Sequence, residues 1–162
     1  MIIVSNTSPI INLAAIDKLE LLKQLYDKIY IPEAVNFEIR NCSKGKFPIL
    51  EIYKLGWIDI IPISNKKLFT SLSLELDYGE SEAIILSLEN KAGLLLIDER
   101  KGRNVASRFD IKCIGVLGIL MESKHKGIIP KLEPLINDLI SKAGFWMSSN
   151  LIQKVLETAG EL

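Results

Sequence analysis

Histidine occurs once in these 162 residues, at His125, and cysteine only twice, at Cys42 and Cys113. The two cysteines lie in different patterns that form neither a metal-ligand spacing nor a disulfide framework, so both are expected as reduced, partly buried thiols. His125, within ESKHKG, reads as an exposed helix end. No P-loop, GxSxG, HExxH or CxxC is present. The missing glycine-rich loop after the first apolar run argues against a nucleotide-binding α/β domain. Long apolar stretches are also lacking, since CIGVLGILM at 113–121 is far too short to span a bilayer. The N-terminus carries no basic region and is interrupted by Ser5-Asn6-Thr7-Ser8-Pro9, so no secretory signal is expected and the chain reads as cytoplasmic, without a membrane partner.

What is present is the composition of a globular chain, 48% hydrophobic and 25% charged. Its length fits one domain over 1–162, with 130–162 as a C-terminal helical extension packed on it. Twenty basic residues balance twenty acidic ones, yet they are unevenly spread. Residues 75–99 hold seven acids against Lys91 alone, and residues 100–131 hold eight Lys or Arg against Asp110 and Glu122. Such blocks are commonly solvated faces. An acidic pole beside a basic stretch is also what a metal-using enzyme of nucleic acid needs.

Periodicity gives alternating strands and helices. IIV (2–4) reads as a buried strand, followed by a helix capped by Ser8, with Pro9 at its first position, running to about Ala15. Asp17 can cap a second short helix. KIYIP (28–32) is a strand, and Pro32 opens a helix carrying Glu38. A helix around 46–55 precedes the strand IDIIPI (58–63). Asp77 and Glu80 have capping-box spacing for a helix over 78–90. GLLLIDE (93–99) reads as a buried parallel strand, GRNVASRF (102–109) as a helix and IKCIG (111–115) as the next strand. Helices over 116–125, 130–142 and 149–159 complete the chain. This order predicts a three-layer α/β/α sandwich on a mostly parallel sheet.

In open parallel sheets ligands bind beyond the carboxyl ends of the strands. Asn6 ends the first strand and Asp98 the fourth, so both are expected at one crevice; alternatively, Asp98 caps the next helix and Asn6 makes a side-chain turn. Glu82, in GESEAIILSL, either joins Asp98 or favours the helix dipole. Glu80 lies about 200° around the same helix, cannot easily share an ion with Glu82, and is assigned to the capping box. Glu38, between Phe37 and Ile39, is expected half-buried. Glu38, Glu82, Asp98 and the Asn6 oxygen together would make a hard-oxygen cage of the kind Mg²⁺ or Mn²⁺ occupies. Arg100, Lys101 and Arg103 follow directly and could hold phosphates.

VSNTSPIINLA resembles the opening of PIN-domain proteins, in which an Asp ends the first strand. IPEAVNFEI is similar to that family's second segment, with its acid at Glu38. GESEAIILSL resembles the third, aligned on Glu82, and LLLIDERKGRNVA the fourth, with its acid at Asp98. The match runs from about residue 2 to 125, and LINDLISKAGFWMSSNLIQKVLETAGE looks like a prokaryotic PIN-like subgroup of unassigned function. The resemblance implies an α/β/α fold and a metal-dependent endoribonuclease acting on RNA. It also implies a toxin of a toxin–antitoxin pair, with a small antitoxin protein as partner, and a homodimer. Asn6 and Glu82 depart from the family's Asp at those positions. The competing expectation is a catalytically silent PIN-like module that binds RNA or a partner protein.

Overall fold

The computed structural model describes residues 1–42 and 52–162. Five short strands, β1 (Ile3–Ser5), β2 (Ile29–Ile31), β3 (Ile58–Ile60), β4 (Leu94–Leu96) and β5 (Cys113–Ile114), lie in the order β3-β2-β1-β4-β5. Every pairing is parallel, so the sheet goes beyond the mostly parallel one expected. The described helices are α1 (Thr7–Ala15), α2 (Glu20–Tyr26), α3 (Glu33–Asn41), α4 (Lys66–Leu72) and α5 (Tyr78–Glu89), then α6 (Arg100–Ser107), α7 (Val116–His125), α8 (Glu133–Ser141) and α9 (Ser149–Thr158).

Alternation along each strand sends successive side chains to opposite faces. Ile3 and Leu96 enter one core with Ile10 and Leu13 of α1 and Val116 and Ile119 of α7. Val4, Leu95 and Ile97 enter the other, with Ile84 and Ile85 of α5 and Val105 of α6. Both faces are covered, which is why the central strands read as unbroken apolar runs. Leu135, Ile136 and Leu139 of α8 and Val155 and Leu156 of α9 join the first core. No helix among the described residues is long and apolar enough to cross a membrane.

Several boundaries differ from the sequence reading, each for a local reason. Ser8 does not cap α1: Asn6 occupies the cap position without a side-chain cap bond, and the Ser8 hydroxyl donates elsewhere. Asp17 lies in a turn at φ +57°, and α2 begins three residues later. The first strand keeps its expected length, shifted by one residue, and the other four are shorter than expected. The turn of α4 was not anticipated, although Asn65 caps it by accepting from the Leu68 N–H at 3.0 Å. The helix expected at 46–55 lies mostly outside the described residues, and Ile52–Lys54 forms a 3-10 turn. The capping box of α5 is present as expected: Asp77 accepts from the Glu80 N–H, and Glu80 accepts from the Asp77 N–H.

Candidate functional site

The chain leaves β1 toward β2 on one side, while β4 pairs with β1 on the other, which opens a crevice at the carboxyl ends of β1 and β4. Asn6 is the first residue beyond β1. Its N–H donates to the Leu96 carbonyl at 2.8 Å and carries the ladder one step past the strand. The side chain is 2% exposed. Its Nδ2 donates to Glu99 Oε2 at 3.2 Å, and the Ser8 hydroxyl donates to the other Glu99 oxygen. Exchanging the amide's nitrogen and oxygen would set two acceptors against each other, so the neighbour decides the orientation. Asn6 Oδ1 is then left buried without a partner.

Glu38 reaches the same place from α3. Its Oε1 accepts from the Thr7 hydroxyl at 2.8 Å, and the Gly79 N–H in the first turn of α5 donates to the carboxylate. Any Cβ at Gly79 would collide with both Glu38 oxygens, so glycine is required for this approach. Burial raises the Glu38 pKa above the usual carboxylate range, the Thr7 and Gly79 donors oppose the rise, and Asp77 and Glu99 add to it. Glu80, 7% exposed, is pushed up to about 7 by burial and then by repulsion from Asp77, with Glu99 contributing. A Cβ at Gly102, on α6, would lie 2.7 Å from Glu80 Oε2. Glu99 therefore acts on both Glu38 and Glu80, and these acids share one electrostatic neighbourhood.

The four residues singled out in the sequence divide evenly. Asn6 and Glu38 stand at the crevice. The Glu82 carboxylate instead accepts from the Ala34 N–H at 2.9 Å, at the start of α3. Asp98 turns toward α7, where its Oδ1 accepts from the Val116 N–H at 2.8 Å, and its Oδ2 is buried without a partner. Burial lifts Asp98 to about 6; the Val116 N–H opposes this, Glu99 adds to it and Arg103 opposes it. Glu99 is the acid that bonds to Asn6 and acts electrostatically on Glu38 and Glu80. Opposite sides of α5 do separate Glu80 from Glu82, but Glu80 is on the inner side, where it caps the helix and faces the crevice at once. For the adjacent acids, β4 ends at Leu96, so the turn out of the strand aims Asp98 to one side and Glu99 to the other. The signals available were the doubled acid after LLLI and the hydroxyls of Thr7 and Ser8, which end up holding Glu38 and Glu99. Arg100, Lys101 and Arg103 are exposed on the first turn of α6, immediately after Glu99.

The donors at the crevice are all hard oxygens, the chemistry of Mg²⁺ or Mn²⁺ and not of softer metals. The unpartnered Asn6 Oδ1 and the mutual repulsion of the acids fit a cation there. Among the described residues, however, no three His, Cys, Asp or Glu side chains converge closely enough as placed to hold an ion. Each acid rests on its own donors.

The sequence pattern of a family described as a PIN domain matches residues 2–161. No curated protein matches the chain.

Proposed function

The chain belongs to the PIN-domain family, a nuclease fold, and from that premise we propose that it is an Mg²⁺- or Mn²⁺-dependent endoribonuclease. The observation that carries this reading is the buried, unpartnered Asn6 Oδ1 just beyond β1, beside a Glu99 that bonds to Asn6 and acts electrostatically on both Glu38 and Glu80. These four groups would hold the cation, which when bound polarises a phosphodiester and lowers the pKa of water. Thr7 and Ser8 fix the Glu38 and Glu99 carboxylates with charge-assisted hydrogen bonds. Asn6 Nδ2 orients Glu99 without adding a further negative charge. Arg100, Lys101 and Arg103 offer cations to the phosphates on either side of the cleaved bond. The family resemblance extends the proposal to a cytoplasmic toxin, homodimeric and paired with a small antitoxin protein.

A paired Mn²⁺ titration and RNA cleavage assay tests it. Wild type should gain melting temperature with micromolar Mn²⁺ and cleave RNA, while Glu99→Gln should weaken the ion and abolish cleavage. Charge reversal at Arg103 should weaken RNA binding and flatten its salt dependence. A second reading, a silent module that binds RNA or a partner protein, is favoured by two observations. Asn6 Nδ2 is already committed to Glu99, and among the described residues no three acids stand close enough as placed to share an ion. No thermal shift at millimolar Mn²⁺ would decide for it.

A further inference from the structure

Two aromatic residues beside the acidic crevice keep most of their surface in water: Phe37, 68% exposed on α3, and Tyr78, 64% exposed on α5. Their places follow from the bonds that dock these two helices. Glu82 of α5 accepts from the Ala34 N–H, and Glu38 of α3 accepts from the Gly79 N–H, so the helices run in opposite directions along their seam. Phe37 directly precedes Glu38 and Tyr78 directly precedes Gly79, which places both residues at the end of the seam where Glu38 meets Thr7. The approach there is close, since a Cβ at Gly79 would lie 2.3 Å from a Glu38 oxygen. Tyr78 is also braced, because the Phe69 ring lies 5.2 Å away at a tilt of 59° while most of the tyrosine stays open. The core does not need either ring: α3 enters it through Val35 and Ile39, and α5 through Ile84 and Ile85. Apolar side chains scattered singly on a surface need no explanation, but two at one crevice mark a contact.

The surrounding charges decide which part of a nucleic acid strand can meet these rings. Glu38, Asp77 and Glu80 stand on the aromatic side and repel phosphates. Arg100, Lys101 and Arg103 are exposed on α6, whose Gly102 lies against Glu80. A strand that runs its backbone past those cations can turn only its uncharged bases toward the aromatics. An aromatic face takes any base by stacking, provided that base is free of its own neighbours. We propose that Phe37 and Tyr78 are stacking platforms that each take one base of single-stranded RNA, holding the strand beside the acids while α6 holds its phosphates. The inference rests on the ribonuclease reading for its substrate, and adds the residues that select an unpaired strand over a duplex. Stacking is indifferent to base identity, so the platforms set strand state and register and not sequence.

Stacking needs neither metal nor cleavage, so the test uses metal-free protein and the fluorescence anisotropy of a short labelled oligoadenylate. Phe37→Leu and Tyr78→Leu keep an apolar side chain but remove the ring, and each should weaken the strand by about tenfold, the worth of one stacked base. Phe37→Trp and Tyr78→Phe keep a ring and should bind as tightly as wild type. The dependence of affinity on salt should be the same in all of these variants, since no phosphate contact is lost. An abasic strand of equal length, or the same strand annealed to its complement, should bind wild type and leucine variants alike, because neither offers a free base. Wild-type affinity for the single strand in both leucine variants overturns the proposal and leaves the rings to a protein partner. An equal loss for the abasic strand also overturns it, and makes the rings part of the scaffold. Ring-dependent binding without any cleavage under Mn²⁺ would sink the nuclease reading alone. Cleavage by leucine variants that bind the strand normally would sink this one alone.

Discussion

Asn6 answers a problem of charge. An aspartate at this position would face Glu99 across the hydrogen bond that the amide now makes, beside Glu38 and Glu80, whose carboxyl groups are already raised. Asn6→Asp should therefore lower the metal-free melting temperature at neutral pH and tighten Mn²⁺ by on the order of tenfold, since ligand charge controls affinity for hard cations. Equal affinity in both proteins would remove position 6 from the ion's surroundings. Glu80 gives a second test. An acid whose folded pKa is raised binds its proton more tightly in the folded state, so its stabilising contribution is present at low pH and lost as pH rises through that pKa. With Glu80 at about 7 and Asp98 at about 6, metal-free stability should fall between about pH 4 and pH 7. Glu80→Gln should flatten the upper part of that fall in a pH series of melting temperatures. An unchanged slope would show that Glu80 carries no such proton.

Helices α3 and α5 hold each other by their first turns. Glu38 of α3 accepts from the Gly79 N–H of α5, and Glu82 of α5 accepts from the Ala34 N–H of α3. Both carboxylates meet the positive end of the opposite helix, so the pair fixes how the two helices abut. Glu82→Ala should cost about 1–2 kcal/mol in denaturant unfolding, the usual loss for an emptied N-terminal cap. It should leave more cleavage activity than Glu80→Gln, which should abolish cleavage without destabilising the metal-free protein. The reverse ranking would return Glu82 to the crevice. Elements were legible wherever a capping or turn residue had one neighbour to answer, as at Pro32 or the Asp77–Glu80 box. The acceptor roles of Glu82 and Asp98 were not legible because their partners, Ala34 and Val116, lie 48 and 18 residues away. Local spacing carries no record of which distant N–H will need an acceptor.

Across the whole molecule, one carboxylate near the C-terminal end of the chain joins three groups far from it in sequence. Glu161 accepts from Lys124 Nζ at 2.7 Å, from the Leu132 N–H at 2.7 Å and from the Glu133 N–H at 3.1 Å, joining α7 to the start of α8. Its side chain is only 8% exposed, and burial alone would raise its pKa, but these donors together hold it near 2. A depressed carboxyl stabilises above its unfolded pKa and loses that contribution as pH falls through the folded one, here from roughly 4.3 toward 2. Combined with the opposite slope from Glu80 and Asp98, this places maximal metal-free stability at about pH 4. Glu161→Gln should lower the melting temperature at neutral pH and flatten the fall in stability below about pH 4, and an unchanged slope there would assign the acid limb to other carboxylates.

The position of β4 has a consequence for the order in which the protein becomes competent. This strand is the fourth to be made, yet it pairs directly with β1, across some ninety residues, and it leads straight into Glu99. A chain emerging from the ribosome can close β1 on β2 early, since only residues 6–28 separate them, but the neighbour on the other edge must wait. Until residues 94–99 dock, Asn6 has no Leu96 carbonyl to bond and no Glu99 to hold. A nascent chain arrested before residue 94 would carry Thr7, Glu38 and Glu80 and still lack the group that acts on both of those acids. Any activity that needs Glu99 is thus withheld from the chain's own partial translation products, by chain order alone.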